Sequence, residues 1–240
     1  MTDWQNYWST HPQRFDSKEH LKQVGKTVGG VPISDEQFQS IIDDICRGLQ
    51  LKEDDTLLDL CCGNGLITNE LSRRCKSVVG VDYSEPLIEV ARRDHCPDNV
   101  EYYHQSVMEL DRLAISAERR FEKVVMYEAL QHFRHSQFAT LLSRILPWTS
   151  DHARLFFGSV PDRARVWNFA NTPKRKAVFL YRHLTGRNPI GSWWRTTMIQ
   201  RTGAELDCRA EIGKQSENLH TSHYRFDILL EKNDTESTGP

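Results

Sequence analysis

The chain has 240 residues, of which 38% are hydrophobic, 10% aromatic and 27% charged, with a formal net charge of −2. That length allows one large domain with its own core, and a charge so near zero argues against a surface that coats polyanions. No apolar run reaches the roughly 20 residues of a membrane helix, and the six cysteines form no CxxC pair, which excludes a membrane span and a disulfide-rich mini-domain.

The opening MTDWQNYWSTHPQRF has neither the basic start nor the apolar stretch of a secretory signal. A cytoplasmic protein with free thiols is therefore expected. Residues 1–33 are polar, aromatic-rich and irregular, and are expected to cover the site or a sheet edge. Ser34 reads as a helix N-cap with Gln37 in the capping-box position. Phe38, Ile41, Ile42, Ile45 and Leu49 then mark one apolar helix face. Alternation follows: strand Thr56 to Leu60, helix Leu66 to Arg74, strand Ser77 to Val81, helix Glu85 to Arg93, strand Val100 to His104. Further on come strand Phe121 to Tyr127, helix Ser136 to Leu146 and strand Leu155 to Val160. Strands alternating with helices imply a parallel sheet covered on both faces.

That rhythm breaks after the fifth strand. Residues 161–192 form a long insertion, Trp193 to Gly203 reads as a helix, and strands are expected near Leu206 to Ile212 and Tyr224 to Leu230. Two strands with a short link are antiparallel neighbours. The predicted architecture is α/β, a Rossmann-like doubly wound seven-stranded sheet. It is mostly parallel with an antiparallel last strand, carries a helical lid insertion over 161–192, and forms a single domain over 1–240. The polar end, Asn233 to Pro240, is expected to fray.

The informative stretch is LLDLCCGNG, residues 57–65, between the first strand of that alternation and the next helix. Glycines let a backbone turn tightly and approach a ligand closely. Asp82 ends the following strand, nineteen residues after Gly63, where a carboxylate can accept from both hydroxyls of a ribose. A dinucleotide site would want a third glycine for the pyrophosphate; Thr68 stands there instead. Asp59 ahead of the glycines suits a cationic group rather than a phosphate.

LLDLCCGNG followed by VVGVDYS resembles the first two motifs of the class I S-adenosylmethionine-dependent methyltransferases, and the likeness in strand order runs from about Asp35 to Leu230. The family loop reads acidic-x-Gly-x-Gly-x-Gly, so its first glycine is Cys61 here. The resemblance implies S-adenosylmethionine as cofactor. It gives Asp59, Cys61, Gly63 and Gly65 to the methionine end, Asp82 to the ribose, and Tyr83, Ser106 and Val107 to the adenine. Tyr127 falls near the sulfonium.

Ligands of open α/β folds bind at the carboxyl ends of the strands. YEALQHF after the fourth strand and the start of a reversed last strand both reach that edge. His132 and His223 are the candidate general bases and Glu128 the third, because methyl transfer to a hydroxyl benefits from a proton acceptor. Paired histidines at 132/135 and 220/223 lack completing ligands, so no metal is expected. Between 162 and 201 there are nine Lys or Arg against one acid, Asp162, interleaved with aromatics. This segment could close over the site and attract an anion. The expected activity is O-methylation of a small or medium anionic or sugar-containing acceptor with histidine general-base help. The alternatives are an RNA methyltransferase using the basic 162–201 segment, or a non-catalytic binding subunit. No Asn/Asp-Pro-Pro-aromatic signature follows the fourth strand, which disfavours a nucleic-acid partner, and no membrane partner is expected.

Overall fold

The computed structural model describes residues 3–116, 118–185 and 190–233. In chain order the elements begin with α1 (Trp4–Thr10) and α2 (His20–Gln23), then a short ribbon of β1 (Thr27–Val28) and β2 (Val31–Pro32). Next come α3 (Asp35–Leu49), β3 (Thr56–Leu60), α4 (Leu66–Ser72), β4 (Ser77–Asp82), α5 (Glu85–Asp94) and β5 (Val100–His104). The rest are β6 (Phe121–Tyr127), α6 (Phe138–Ile145), β7 (Thr149–Pro161), α7 (Val166–Phe169), α8 (Pro173–Leu184), α9 (Thr196–Glu205), β8 (Cys208–Gly213) and β9 (Arg225–Lys232).

Seven strands form one sheet in the order β5-β4-β3-β6-β7-β9-β8. The pairs among β5, β4, β3, β6 and β7 are parallel, and β9 is antiparallel to both of its neighbours. Only β9 is therefore reversed, as expected for the last strand. The strands read as near-continuous apolar runs because both faces are covered. Alternate residues feed two cores. Leu58, Val79, Val124 and Leu155 face α6 and α9, whose Phe138, Leu141, Leu142 and Ile199 fill that side. Leu57, Val78, Val125 and Phe156 face α3, where Ile41, Ile42, Ile45 and Leu49 pack.

Ser34 caps α3 by accepting from the Gln37 N–H at 3.2 Å. The reciprocal half of the capping box is absent, since the Gln37 amide donates to the Asn218 carbonyl instead.

Two expectations need correction. β7 starts at Thr149, not Leu155. The last helix begins at Thr196, so Trp193 and Trp194 lie outside it. Trp194 runs extended beside Asp162 in an isolated parallel bridge and is fully buried against Phe138. A double tryptophan satisfies a helical apolar pattern as well as a buried crossing, so periodicity alone could not separate the two. Among the described residues none of 161–192 lines the cavity over the glycine loop, while Arg163, His183, Gly191 and Ser192 line a second cavity beside it. The insertion's Val166, Ala170 and Phe179 form a small core with Trp193 and Tyr224 from the chain beyond it. Arg187 and the tail beyond Asn233 lie outside the described residues.

Candidate functional site

At the carboxyl ends of β3, β4 and β6 lies a cavity of about 390 Å³, within the range of small-molecule sites. The turn after β3 builds one wall. Gly63 and Gly65 both have positive φ, 59° and 77°, a conformation glycine adopts without a Cβ penalty. Asp82, buried at the end of β4, organises this turn. Its Oδ2 accepts from the Gly63 N–H at 3.0 Å and its Oδ1 from the Ser84 N–H at 2.8 Å. Burial pushes the Asp82 carboxyl up to about 6, against the pull of those N–H donors. The carboxylate retains free lone pairs on the cavity side, as a ribose diol requires.

Cys61, Gly63, Asp82, Tyr83, Ser106, Val107 and Tyr127 all line this cavity. Asp59 and Gly65 do not. Asp59 is buried beneath the loop and accepts from the Thr68 hydroxyl at 2.6 Å, with burial raising its carboxyl to about 7. Gly65 backs onto Tyr102, whose hydroxyl would lie 2.4 Å from an added Cβ. Both shape the loop from behind. Ser106 accepts from the Met108 N–H at 3.3 Å and so turns the chain across the pocket floor.

The fourth wall comes from the N-terminal segment. The Tyr83 hydroxyl donates to the Trp4 carbonyl at 2.7 Å, and the Ser84 hydroxyl to the Trp8 carbonyl at 2.8 Å. Asn64 ties α2 to the glycine loop by donating to the His20 carbonyl and to the Gln23 side chain. Lys26, almost fully buried, sits 4.6 Å from the Tyr127 ring centroid and 2.8 Å from Glu128 Oε2. Burial raises the Glu128 carboxyl, but the charges of Lys26 and Arg225 outweigh it and hold the group down at about 2. So weak a base has little capacity to take a proton near neutrality.

His132 stands at the rim. The Trp8 indole N–H points at His132 Nε2, 3.3 Å away. An indole nitrogen only donates, so Nε2 must accept and the ring proton sits on Nδ1. That Nδ1 atom is buried and has no partner among the described residues. Burial, helped by Arg225, drives the imidazole down to about 3. His132 is therefore a neutral ring presenting an N–H. His223 is exposed, lines neither cavity, and stacks edge-on against Tyr224 at 4.9 Å.

A second, larger cavity of about 1110 Å³ opens beyond this rim. It shares Trp4, Gln5, His132, Phe133 and Gln137 with the first. Arg134, Arg163 and Arg195 line it, with His135 and His183. No salt-bridge partner is found for these three arginines among the described residues. Their neighbour Arg165 is spoken for, pairing with Asp162 at 2.8 Å and donating to the Ser222 and Arg225 carbonyls. Among the described residues no three metal-ligating side chains converge, and no helix is long and apolar enough to cross a membrane.

The residues with the least sequence signal are Trp4, Trp8 and Lys26. Each reaches the site across a long stretch of chain, and nothing in local spacing marks such a contact.

A family model described as a methyltransferase domain matches residues 57–151. An uncharacterized methyltransferase of Schizosaccharomyces pombe is 49% identical over 49 residues, 20% of this chain and 19% of the relative. A ubiquinone biosynthesis O-methyltransferase of Nitrosococcus oceani is 25% identical over 168 residues, 70% of this chain and 66% of that one. Both alignments span less than two thirds of the relatives' own lengths. The crystal structure of magnesium protoporphyrin IX methyltransferase from Synechocystis PCC 6803, with bound SAH, superposes with a TM-score of 0.65 at 14% identity, covering 96% of this chain and 98% of that one. That likeness is one of fold. The family match lies over the glycine loop and the strand that ends in Asp82, so over that stretch the chain is similar to methyltransferase domains.

Proposed function

We propose that the chain methylates an oxygen of a small anionic acceptor held in the second cavity. The observation that carries this reading is the meeting of two cavities at one wall. A donor-sized pocket and an arginine-lined chamber share His132, Trp4 and Phe133.

S-adenosylmethionine supplies an electrophilic methyl group whose carrier leaves as a neutral thioether. Asp82 takes the ribose hydroxyls. Tyr83, Ser106 and Val107 flank the adenine, and Lys26 faces the methionine carboxylate. Arg134, Arg163 and Arg195 gather the acceptor's negative charge, while the flat rings of Trp4 and Trp193 bound its body. Alignment of acceptor oxygen and methyl carbon supplies much of the rate.

The proton position on His132 favours one acceptor class. With Nε2 occupied by Trp8, His132 donates from Nδ1 and does not act as the expected base. A donor there orients an oxygen that is already ionised, such as a carboxylate. For that acceptor a carbon–oxygen bond forms, the carbon–sulfur bond breaks, and no proton has to move.

Titration calorimetry with S-adenosylmethionine tests the donor half. Asp82→Ala removes the ribose acceptor and two backbone partners, so binding should weaken about 100-fold or more, two charge-assisted hydrogen bonds being worth roughly 3 kcal/mol. Labelled-methyl transfer into pools of carboxylic acids, sugar acids, neutral glycosides and RNA tests the acceptor half. Label in the acids, with Arg195→Ala raising the acceptor KM but not the donor Kd, is the expected result. Label confined to RNA or neutral glycosides would overturn the acceptor assignment, and absent donor binding would overturn the whole reading.

A further inference from the structure

The inserted helix α8 carries its apolar residues on the wrong side for a helix of a monomeric soluble protein. Only Phe179 of its twelve residues is buried. At about 100° per residue, Ala177, Tyr181 and Leu184 project opposite Phe179, with Leu180 and Val178 on the borders of that face. Leu184 is 84% exposed, Tyr181 61% and Leu180 49%. Trp167, packed edge-on against Phe179 at 6.0 Å, is itself 46% exposed. Apart from Val28 and Val31 in the β1–β2 ribbon, these are all the large exposed hydrophobics among the described residues.

Exposed cations lie within this face and on the flanks between it and Phe179. Lys174, Arg175, Lys176 and Arg182 lie on α8, and no carboxylate pairs with them among the described residues. Three of them occupy the first turn, where the helix dipole disfavours positive charge. A placement that costs local stability points to a partner that offsets it. Lys176 also lies 5.7 Å over the Trp167 ring, and an ammonium on an indole is a pair at home at a lipid headgroup boundary.

We propose that α8 and Trp167 form a docking surface for an anionic lipid bilayer. The outward side of a lone helix is convex and needs no complementary groove, which suits a fluid surface. Apolar residues would enter the acyl boundary while the long cationic stems reach headgroup phosphates. A second copy of this chain fits less well. Two-fold pairing through α8 would set each cationic cluster against the same cluster on its mate. His183, on the same helix, lines the arginine-bearing cavity, so docking would hold the mouth of that cavity near the headgroups. This inference stands on the surface alone and does not depend on the acceptor assignment.

Co-sedimentation with vesicles tests it. Wild type should pellet with phosphatidylcholine vesicles containing phosphatidylglycerol, and not with phosphatidylcholine alone. High salt should release it. The double variant Leu180→Glu/Leu184→Glu should partition about tenfold more weakly or worse. Each of Lys174→Gln and Arg182→Gln should cost roughly fivefold. Both leucines are exposed, so an unchanged thermal midpoint in the double variant shows that it folds. Equal binding to neutral and anionic vesicles, no binding to either, or binding that the double variant retains would overturn the proposal. So would a dimer in sedimentation equilibrium that the double variant dissolves without any vesicle binding. Capture on polyglutamate without vesicle binding would point to an acidic protein instead and equally overturn it.

Discussion

Cys61, Glu128 and Ser159 are non-glycine residues in the left-handed region, with φ of 59°, 54° and 59°. They sit just past β3, just past β6 and near the end of β7, three neighbouring strands. Strained residues of this kind persist where surrounding contacts hold them, and they gather at functional sites. Ser159 is held by donating its N–H to Asp227 at 2.7 Å, and Glu128 by donating its own to the Gly158 carbonyl at 3.0 Å. Cys61 stands where the resemblance puts glycine, and the backbone there shows why. Cys61→Gly should stabilise the protein by roughly 0.5–1 kcal/mol. The left-handed penalty of about 1–2 kcal/mol exceeds the roughly 0.5–1 kcal/mol of extra chain entropy that glycine brings to the unfolded state. Urea titration of the two proteins measures this, and an equal or lower midpoint for the variant would sink the strain argument. Asp82 carries a prediction in pH. Its carboxyl titrates near 6, and the ionised form is the one that accepts ribose hydroxyls. Donor affinity should fall by up to about tenfold per pH unit below 6. Glu128 and His132, near 2 and 3, stay in one state over that window. Asp82→Asn should bind more weakly at neutral pH and lose the slope, which calorimetry across pH 5 to 8 reads directly. Asp82 and Gly63 are legible in the sequence because they belong to one local strand–helix–strand unit. The Trp8–His132 contact joins residues 124 positions apart, and no spacing rule encodes it.

The elements of the sheet are legible for a physical reason. Strands covered on both faces must be apolar throughout, and LLDL, SVVGV and VVMY carry that mark with turn residues at their ends. The insertion is harder to read because α8 has no such constraint: its apolar residues face outward, and pattern alone reads them as a buried stripe. The insertion, expected as a lid on the substrate side, lines the second cavity with Arg163 and His183, and the segment over the donor pocket is α1. No residue of α1 is buried. It is held by Tyr83, Ser84 and the Trp8–His132 hydrogen bond, with the Trp4 and His132 rings 4.2 Å apart. Removing residues 1–10 should therefore leave the thermal midpoint almost unchanged while weakening donor binding by at least tenfold. Paired thermal and calorimetric measurements check this; a protein that unfolds without α1 would show that the segment belongs to the core.

At the scale of the whole molecule, the donor pocket draws walls from β3, β4, β6 and the N-terminal segment at once. A ligand that bridges these parts stabilises the native state by mass action. Donor at 100 times its Kd should add about 2.7 kcal/mol, or roughly 5–10 °C in the midpoint of a chain this long. Asp82→Ala should abolish that shift, and nicotinamide dinucleotides should produce none; a shift with the dinucleotide alone would reassign the pocket. The way α1 is fastened also sets a tempo. Three hydrogen bonds at about 1 kcal/mol each leave the seven-residue flap ajar about 1% of the time. Such openings widen the way into the pocket, so a variant without α1 should bind and release the donor faster than wild type, which stopped-flow binding reads. The helix that lengthens the donor's stay also lengthens that of its spent form, so a tighter grip on the donor slows product release however fast the methyl group itself moves.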